Sequence, residues 1–436
     1  MQTSLVARRF ASTASKAHHK VLIVGGGTAG LGAAQQILGL IRSSGKTYTP
    51  GDIAIVDAAE WHHYQPGWTL VGSGLKRKHE LRRPLQSLIP TSYVTHHAER
   101  LQSFNPEANS VQTESGRELT YDTLVVAPGL KVKFEAIEGL TKALADPGSG
   151  VSSIYSYDTC DKTWADIDAL RNGKAVFTQP AGVIKCAGAP QKIMWMAWDR
   201  WRRTGRRDNI QIDFVTGMPT MFSVPKYSEA LNALRIERGV GGTFGYDLKS
   251  IDTSARTATF KTADGKVETK EYTLLHATPP QGPHDFVKNS PLADAAGWVD
   301  VDQATLQHKK YENVFSLGDA SSLPTSKTAA AITAQAPVLA ENLTKYLATG
   351  KMGAARYDGY TSCPLLTGYG QLMLAEFVYG LKPQETFAGI LGDQVKPHSA
   401  YYYLKKDLFP WAYFNHYVEG RWYGRKGFRR PSFPKA

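Results

Sequence analysis

Three cysteines stand in the 436-residue chain, and each has a different chemical setting. Cys186 follows Lys185 directly and precedes Lys192, in a loop that leads into a helix expected over residues 191–201. Positive charge and a helix N-terminus both favour the thiolate, the reactive form of the side chain. Cys363 lies in Tyr360-Thr361-Ser362-Cys363-Pro364-Leu365-Leu366-Thr367-Gly368-Tyr369, whose proline and glycine read as a loop. Cys160 stands between Asp158 and Asp161; negative neighbours raise a thiol's pKa, so it reads as structural. None of the three pairs in Cys-x-x-Cys spacing, and three are too few for a disulfide scaffold. Neither a structural zinc site nor a disulfide-stapled fold is expected.

A second group of residues suits a dinucleotide. Gly25-Gly26-Gly27-Thr28-Ala29-Gly30 carries glycines at 25, 27 and 30, the Gly-x-Gly-x-x-Gly spacing. Gly25 permits a tight turn, Gly27 lets a pyrophosphate approach the backbone, and Gly30 lets the following helix pack on the strand. The elements required to position them are present: an apolar strand at 20–24, a helix at 31–41, and a second strand at 53–56. Asp57 ends that second strand, where a carboxylate can hydrogen-bond a ribose 2′-hydroxyl. Gly39 with Gly45-Lys46-Thr47 imitates a P-loop, but it has one residue too many and follows a helix instead of a strand.

Two later segments favour FAD as the dinucleotide. Tyr121-Asp122-Thr123-Leu124-Val125-Val126-Ala127-Pro128-Gly129 has the shape of the strand and turn that bring a flavoprotein chain back past its cofactor. Asn313-Val314-Phe315-Ser316-Leu317-Gly318-Asp319 resembles the FAD motif whose aspartate bonds the ribityl chain. A helix starting within residues 325–331, with Lys327 near its N-terminus, could place partial positive charge at the flavin N1/C2=O edge.

A second nucleotide-type unit is expected between 140 and 292: a strand at 174–178, the helix at 191–201 and a strand at 210–215. Its connecting loop, residues 179–190, holds Gly182 and Gly188 at a spacing that cannot cradle a pyrophosphate, and Thr216-Gly217 supplies no acid. The domain shape is therefore expected without nicotinamide binding, so electrons must enter from something other than NADH.

Composition places the remaining pieces. Hydrophobic residues make up 42% and charged residues 21%, which excludes wholesale disorder and coiled coil. No run of about 18 apolar residues is present, so no conventional spanning helix is expected. The net charge of +12 gathers at the two ends, and no nucleic-acid motif is found. The first segment, through residue 17, carries Arg, Ser and Ala ahead of the first acid of the chain, Asp52, and reads as a mitochondrial presequence cleaved between Arg9 and Lys20. Residues 399–436 interleave basic residues with aromatics; residues 401–436 alone hold 12 of the 46 aromatic residues and eight Lys/Arg. That mixture suits an interfacial amphipathic segment, which Pro410 is expected to break into two helices.

At Lys185-Cys186-Ala187-Gly188-Ala189-Pro190-Gln191-Lys192 and Tyr357-Asp358-Gly359-Tyr360-Thr361-Ser362-Cys363-Pro364-Leu365 the chain resembles the mitochondrial-type sulfide:quinone oxidoreductases. The likeness extends to Tyr64-Gln65-Pro66-Gly67-Trp68, Trp298-Val299-Asp300-Val301-Asp302 and Leu323-Pro324-Thr325-Ser326-Lys327-Thr328-Ala329-Ala330. It implies an α/β fold of two Rossmann-like dinucleotide-binding domains, the FAD domain split between 18–139 and 293–398, with a C-terminal membrane-associating helical segment. It implies Cys186 and Cys363 as the redox pair. It also implies FAD contacts at Gly25, Gly26, Gly27, Thr28, Ala29, Gly30, Asp57, Gln65, Leu101, Gly318, Asp319, Lys327, Thr328, Ala329 and Ala330. Hydrogen sulfide would leave a cysteine persulfide, a small acceptor such as glutathione, sulfite or cyanide would take its sulfur, and electrons would pass through FAD to ubiquinone at the mitochondrial inner membrane. Cys160 does not sit where some bacterial relatives have a third redox cysteine, and Asp57 stands where many flavoproteins of this class have Glu. The competing readings are a type II NADH:quinone oxidoreductase, which needs an intact second glycine loop, and a mitochondrial FAD-binding redox sensor without turnover.

Overall fold

The computed structural model describes residues 17–45 and 48–434. A seven-stranded sheet forms the first unit. Ala17–Val24 lies between Ile53–Val56 and Glu118–Val126, all parallel, with Val94–His97 beyond Ile53–Val56 and Val314–Ser316 returning late in the chain alongside Glu118–Val126. Val21, Leu22 and Ile23 are wholly buried, as a strand covered on both faces requires. Register is what builds the site: Val24 pairs with both Val56 and Val126, and Val126 pairs with Ser316. The glycine loop, the Ala127-Pro128-Gly129 turn and Gly318-Asp319 therefore leave the sheet at one edge, the carboxyl ends of parallel strands, where α/β sheets bind ligands.

The first strand begins at Ala17, earlier than expected, and Ala17 already pairs with Leu119. His18 is held by Thr120 Oγ1 at 3.0 Å and Asp122 at 3.1 Å, so a cut anywhere after Ala17 would shorten a core strand. The rest of the expected presequence, residues 1–16, lies outside the described residues. The helix Thr28–Ser43 is longer at both ends than the expected 31–41. It stops before Gly45, and Lys46 and Thr47 of the false P-loop also lie outside the described residues.

The second unit has five parallel strands with Gly173–Gln179 at the centre, between Leu274–His276 and Ile210–Thr216. Helix Ala189–Arg203 covers it and buries Trp195 and Trp201 completely. Cys363 is not in a loop. It sits within the strand Thr361–Gly368, which pairs antiparallel with Gln371–Val378. That strand is at the sheet's edge, the place in a sheet that tolerates a proline such as Pro364.

Pro410 does not break the C-terminal helix. The α-helix Ser399–Tyr403 runs through a π-helical turn, Leu404–Leu408, into Phe409–Asn415. The wider turn lets the helical path continue past a residue that has no N–H to donate. Among the described residues no helix is long and apolar enough to cross a membrane.

Candidate active site

One cavity of about 450 Å³ joins the two units. It starts at Gly27, Thr28 and Ala29, passes Asp319 and the residues from Lys327 to Ala330, reaches Cys186 and Lys192, and ends against the C-terminal segment.

The glycine loop owes its shape to contacts that only glycine allows. Gly25 has φ +102°, and a Cβ there would stand 2.4 Å from the Ala127 carbonyl oxygen. A Cβ on Gly30 would stand 1.8 Å from the Gly25 oxygen, whereas one on Gly27 would meet nothing, which leaves that backbone open toward the cavity. Asp57 braces the loop from behind: its carboxylate accepts from the Gly26 N–H at 2.6 Å and the Ala59 N–H at 2.8 Å. Asp57 does not line the cavity, and neither does Leu101, which is buried in the outer strand Leu101–Asn105.

The middle of the cavity has acceptors and donors without protein partners. Asp319 lines it, and no donor among the described residues reaches its carboxylate. Burial raises its pKa, and Lys327 and Lys185 act against that. Lys327 donates to the Ser321 carbonyl and lies 4.3 Å over the Trp298 ring, and burial lowers it to about 8. Thr328 caps helix Ala329–Thr349 by accepting from the Ala331 N–H at 3.0 Å, which leaves Ala329 and Ala330 at a helix N-terminus facing the cavity. Gln65 accepts from Lys185 Nζ at 2.7 Å, and burial lowers Lys185 to about 8. A flavin dinucleotide fits these residues: an open glycine backbone for phosphates, an unpartnered carboxylate for polyol hydroxyls, and a helix N-terminus for an electron-rich ring edge.

The two cysteines meet although 177 positions separate them, with sulfurs 3.4 Å apart. Both are free thiols, near enough to bond after a small approach. Lys192 Nζ donates to Cys186 Sγ at 3.2 Å. The hydrogen bond from Cys363 holds Cys186 well below the usual thiol range, and the charges of Lys192 and Lys405 add to this against the effect of burial. Cys363 moves the other way, because it donates to Cys186 and is buried. Lys192 is 1% exposed; burial pulls its pKa down, but the two sulfurs raise it overall, so it remains a cation. Cys186 has φ +85°, a region few side chains tolerate, and its carbonyl accepts from the Ala189 N–H at 2.6 Å as the helix begins. Gly188 makes room for the pair, since a Cβ there would stand 2.8 Å from Cys363 Sγ. Cys160 is fully buried elsewhere, in the first unit's core, and burial and Asp161 push it up to about 12.

The loop of the second unit is packed against its own chain. The Ala181 N–H donates to Asp247 at 2.6 Å, and Gly217 packs so close that a Cβ would stand 2.3 Å from the Ala181 nitrogen. A carboxylate thus occupies one backbone donor of this loop.

Sequence reasoning missed two features here. Lys405 is buried beside the thiols, where burial and the repulsion of Lys192 lower it to about 7. Tyr413 ties the C-terminal helix to the glycine loop: its hydroxyl lies 2.7 Å from Thr28 Oγ1 and 2.7 Å from His62 Nε2, while His62 Nδ1 lies 3.0 Å from the Gly26 carbonyl. Burial lowers His62 to about 4, so it is neutral. Its one N–H serves the carbonyl, Nε2 accepts from Tyr413, and Tyr413 accepts from Thr28. No local pattern announces contacts across 351 and 385 positions.

Residues 19–176 match the family model described as pyridine nucleotide-disulphide oxidoreductase. The chain is 48% identical to the mitochondrial sulfide:quinone oxidoreductase of Schizosaccharomyces pombe, over 99% of this chain and 96% of that one. It is 41% identical to the mouse protein of the same name, over 94% and 88%. In fold it is similar to the crystallographic sulfide:quinone oxidoreductase of Aquifex aeolicus, with a TM-score of 0.70 and 18% identity over 92% of this chain and 91% of that one. Identity of this order over nearly the whole length, on a scaffold that brings two distant thiols together at a flavin cavity, means that the chain belongs to the sulfide:quinone oxidoreductase family.

Proposed function

We propose that this protein oxidises hydrogen sulfide at the Cys186–Cys363 pair and reduces ubiquinone, with FAD as its flavin, at the surface of the mitochondrial inner membrane. The observation that carries the reading is the 3.4 Å sulfur pair with Lys192 Nζ 3.2 Å from one member.

In the oxidised pair hydrosulfide attacks the Cys363 sulfur, the S–S bond breaks, and Cys186 leaves as a thiolate. The product is a Cys363 persulfide. The direction follows from leaving-group quality: the sulfur with the lower pKa departs faster, and Lys192 stabilises its charge. A small nucleophile such as glutathione, sulfite or cyanide then takes the outer sulfur and leaves Cys363 as a thiolate. Two electrons must leave the two sulfurs for the bridge to reform. Bound FAD supplies the two-electron acceptor between the thiols and the quinone. Cys186 is the sulfur that lines the cavity, so it faces the cofactor, while Cys363 lies behind it.

Electrons leave at the C-terminal end. There Leu408 and Phe428 line the cavity and are also exposed, beside Trp411, which is 50% exposed. Arg425, Lys426, Arg429 and Arg430 flank them. Apolar and aromatic side chains with basic neighbours suit a headgroup boundary, from which a quinone can enter without crossing water.

Anaerobic mixing of the flavin-loaded protein with sulfide should bleach the flavin band, and NADH should leave it unchanged because the second loop lacks the glycine spacing and has its Ala181 N–H taken by Asp247. Rapid bleaching by NADH would overturn the reading.

A further inference from the structure

Making a quinol takes two protons as well as two electrons, and at the end of the cavity by Leu408, Phe409 and Phe428 apolar side chains offer none. One carboxyl group opens onto that end. Glu376 lines the cavity and is 3% exposed. It accepts four hydrogen bonds, all from neutral donors: the Tyr360 hydroxyl, the Thr386 hydroxyl at 2.8 Å, the Thr386 N–H at 2.8 Å and the Gln394 amide at 2.9 Å. Buried carboxylates are ordinarily paired with a cation, and a structural one would gain from such a partner.

Its position in the hairpin adds to the argument. Glu376 is opposite Ser362, and the next pair along is Ala375 with Cys363. Alternation puts the cysteine on one face of the sheet and Glu376 on the other. The cysteine face packs with helix Ala189–Arg203. The Glu376 face carries Leu374 against Tyr401 and Tyr402 of the C-terminal segment, beside the exposed Leu408. Tyr360 also lines the cavity, its ring 5.1 Å beneath the Arg425 guanidinium. Thr386 also lines the cavity but is exposed, so it is the member of the group that reaches solvent, and its hydroxyl and the Tyr360 hydroxyl share one oxygen of Glu376. A hydrogen-bonded line thus runs from solvent through Thr386 and Glu376 to Tyr360.

We propose that Glu376, with Tyr360 on its cavity side and Thr386 on its solvent side, is the proton relay that turns the bound quinone into quinol. The proposal rests on the quinone reduction inferred above. The electron pair withdrawn from the thiols brings one proton with it, and the relay brings the other. As the quinol O–H bond forms, the Tyr360 O–H bond breaks. For this the Glu376 carboxylate, which at rest accepts from both hydroxyls, first takes a proton from water through the Thr386 hydroxyl; that proton passes to the tyrosine oxygen as the Tyr360 O–H breaks, and the four-bonded carboxylate is restored.

The test uses the full-length, flavin-loaded protein with sulfide and sulfite, and two acceptors. A short-chain ubiquinone needs protons; ferricyanide takes single electrons and none. Glu376→Gln should slow turnover with the quinone by about 100-fold, the usual scale of lost acid–base assistance. Its ferricyanide turnover should stay within about two-fold of the parent, and its flavin should still bleach with sulfide. Thr386→Val keeps the backbone N–H and tests the route where Glu376→Gln fails to fold: quinone turnover should fall by about ten-fold with a larger solvent isotope effect. Undiminished quinone turnover in either variant would overturn the relay, as would equal losses with both acceptors. A parent protein that bleaches with sulfide yet never reduces quinone would instead overturn the functional reading beneath it.

Discussion

At the scale of single residues, the site turns on one asymmetry between two otherwise identical side chains. Cys186 accepts from the Lys192 ammonium and from the Cys363 thiol, which keeps its hydrogen. The Cys186 pKa is lowered, so its thiolate persists as pH falls below the ordinary thiol range. Alkylation of the reduced protein by iodoacetamide should therefore stay fast into acidic solution. Lys192→Met should move its midpoint upward by about one to three pH units; an unmoved midpoint would mean that the lysine does not hold the charge. Cys186→Ser and Cys363→Ser should each lower sulfide:quinone turnover by about 100-fold or more with flavin retained, and the double variant should be no worse, because either change removes the same unit. Cys160→Ser, on a thiol pushed up to about 12, should stay within about three-fold of the parent.

At the scale of elements, what was legible in the sequence was local. The strand before Gly25, the glycine spacing and the strand before Gly318 are patterns within about ten residues, and strands lie at those places, the first reaching three residues further back than its pattern. Two elements were misread for a physical reason. Pro364 suggested a loop, but an edge strand accepts proline; Pro410 suggested a break, but a π-helical turn absorbs it. The partners of the cysteines, Lys405 at the thiols and Glu376 in the hairpin depend on tertiary contacts that no window of sequence contains. Gly188 gives a test at this scale. A Cβ there would stand 2.2 Å from a Leu365 methyl and 2.8 Å from Cys363 Sγ, so Gly188→Ala must push the hairpin away from the helix. Turnover should fall by about ten-fold or more while the flavin stays bound, since the glycine loop is untouched. Flavin spectra and sulfide-dependent rates measured together check it, and a normal rate would show that the hairpin gives way freely.

At the scale of the whole molecule, the C-terminal segment is wall and surface at once. Tyr401, Tyr413 and Tyr417 are buried, Tyr417 fitting against Gly32 of the first helix, while Tyr403, Trp411 and Phe428 face outward. Two kinds of change should therefore part company. Replacing Trp411 and Phe428 by serine should weaken sedimentation with anionic liposomes by about ten-fold and leave the flavin in place. Ending the chain before Ser399 should release the protein from liposomes and also empty it of flavin; a yellow, soluble truncation would show that the segment is only a dock. The Tyr413–Thr28–His62 contact gives the last of these a meaning for biogenesis. A tyrosine of the C-terminal helix latches a loop nearly four hundred positions before it. Until the helix around Tyr413 has docked, the loop lacks this latch, so firm retention of the flavin is expected only once the tail has closed. A lesion that removes Tyr413 is then expected to surface first as apoprotein, ahead of any loss of anchoring.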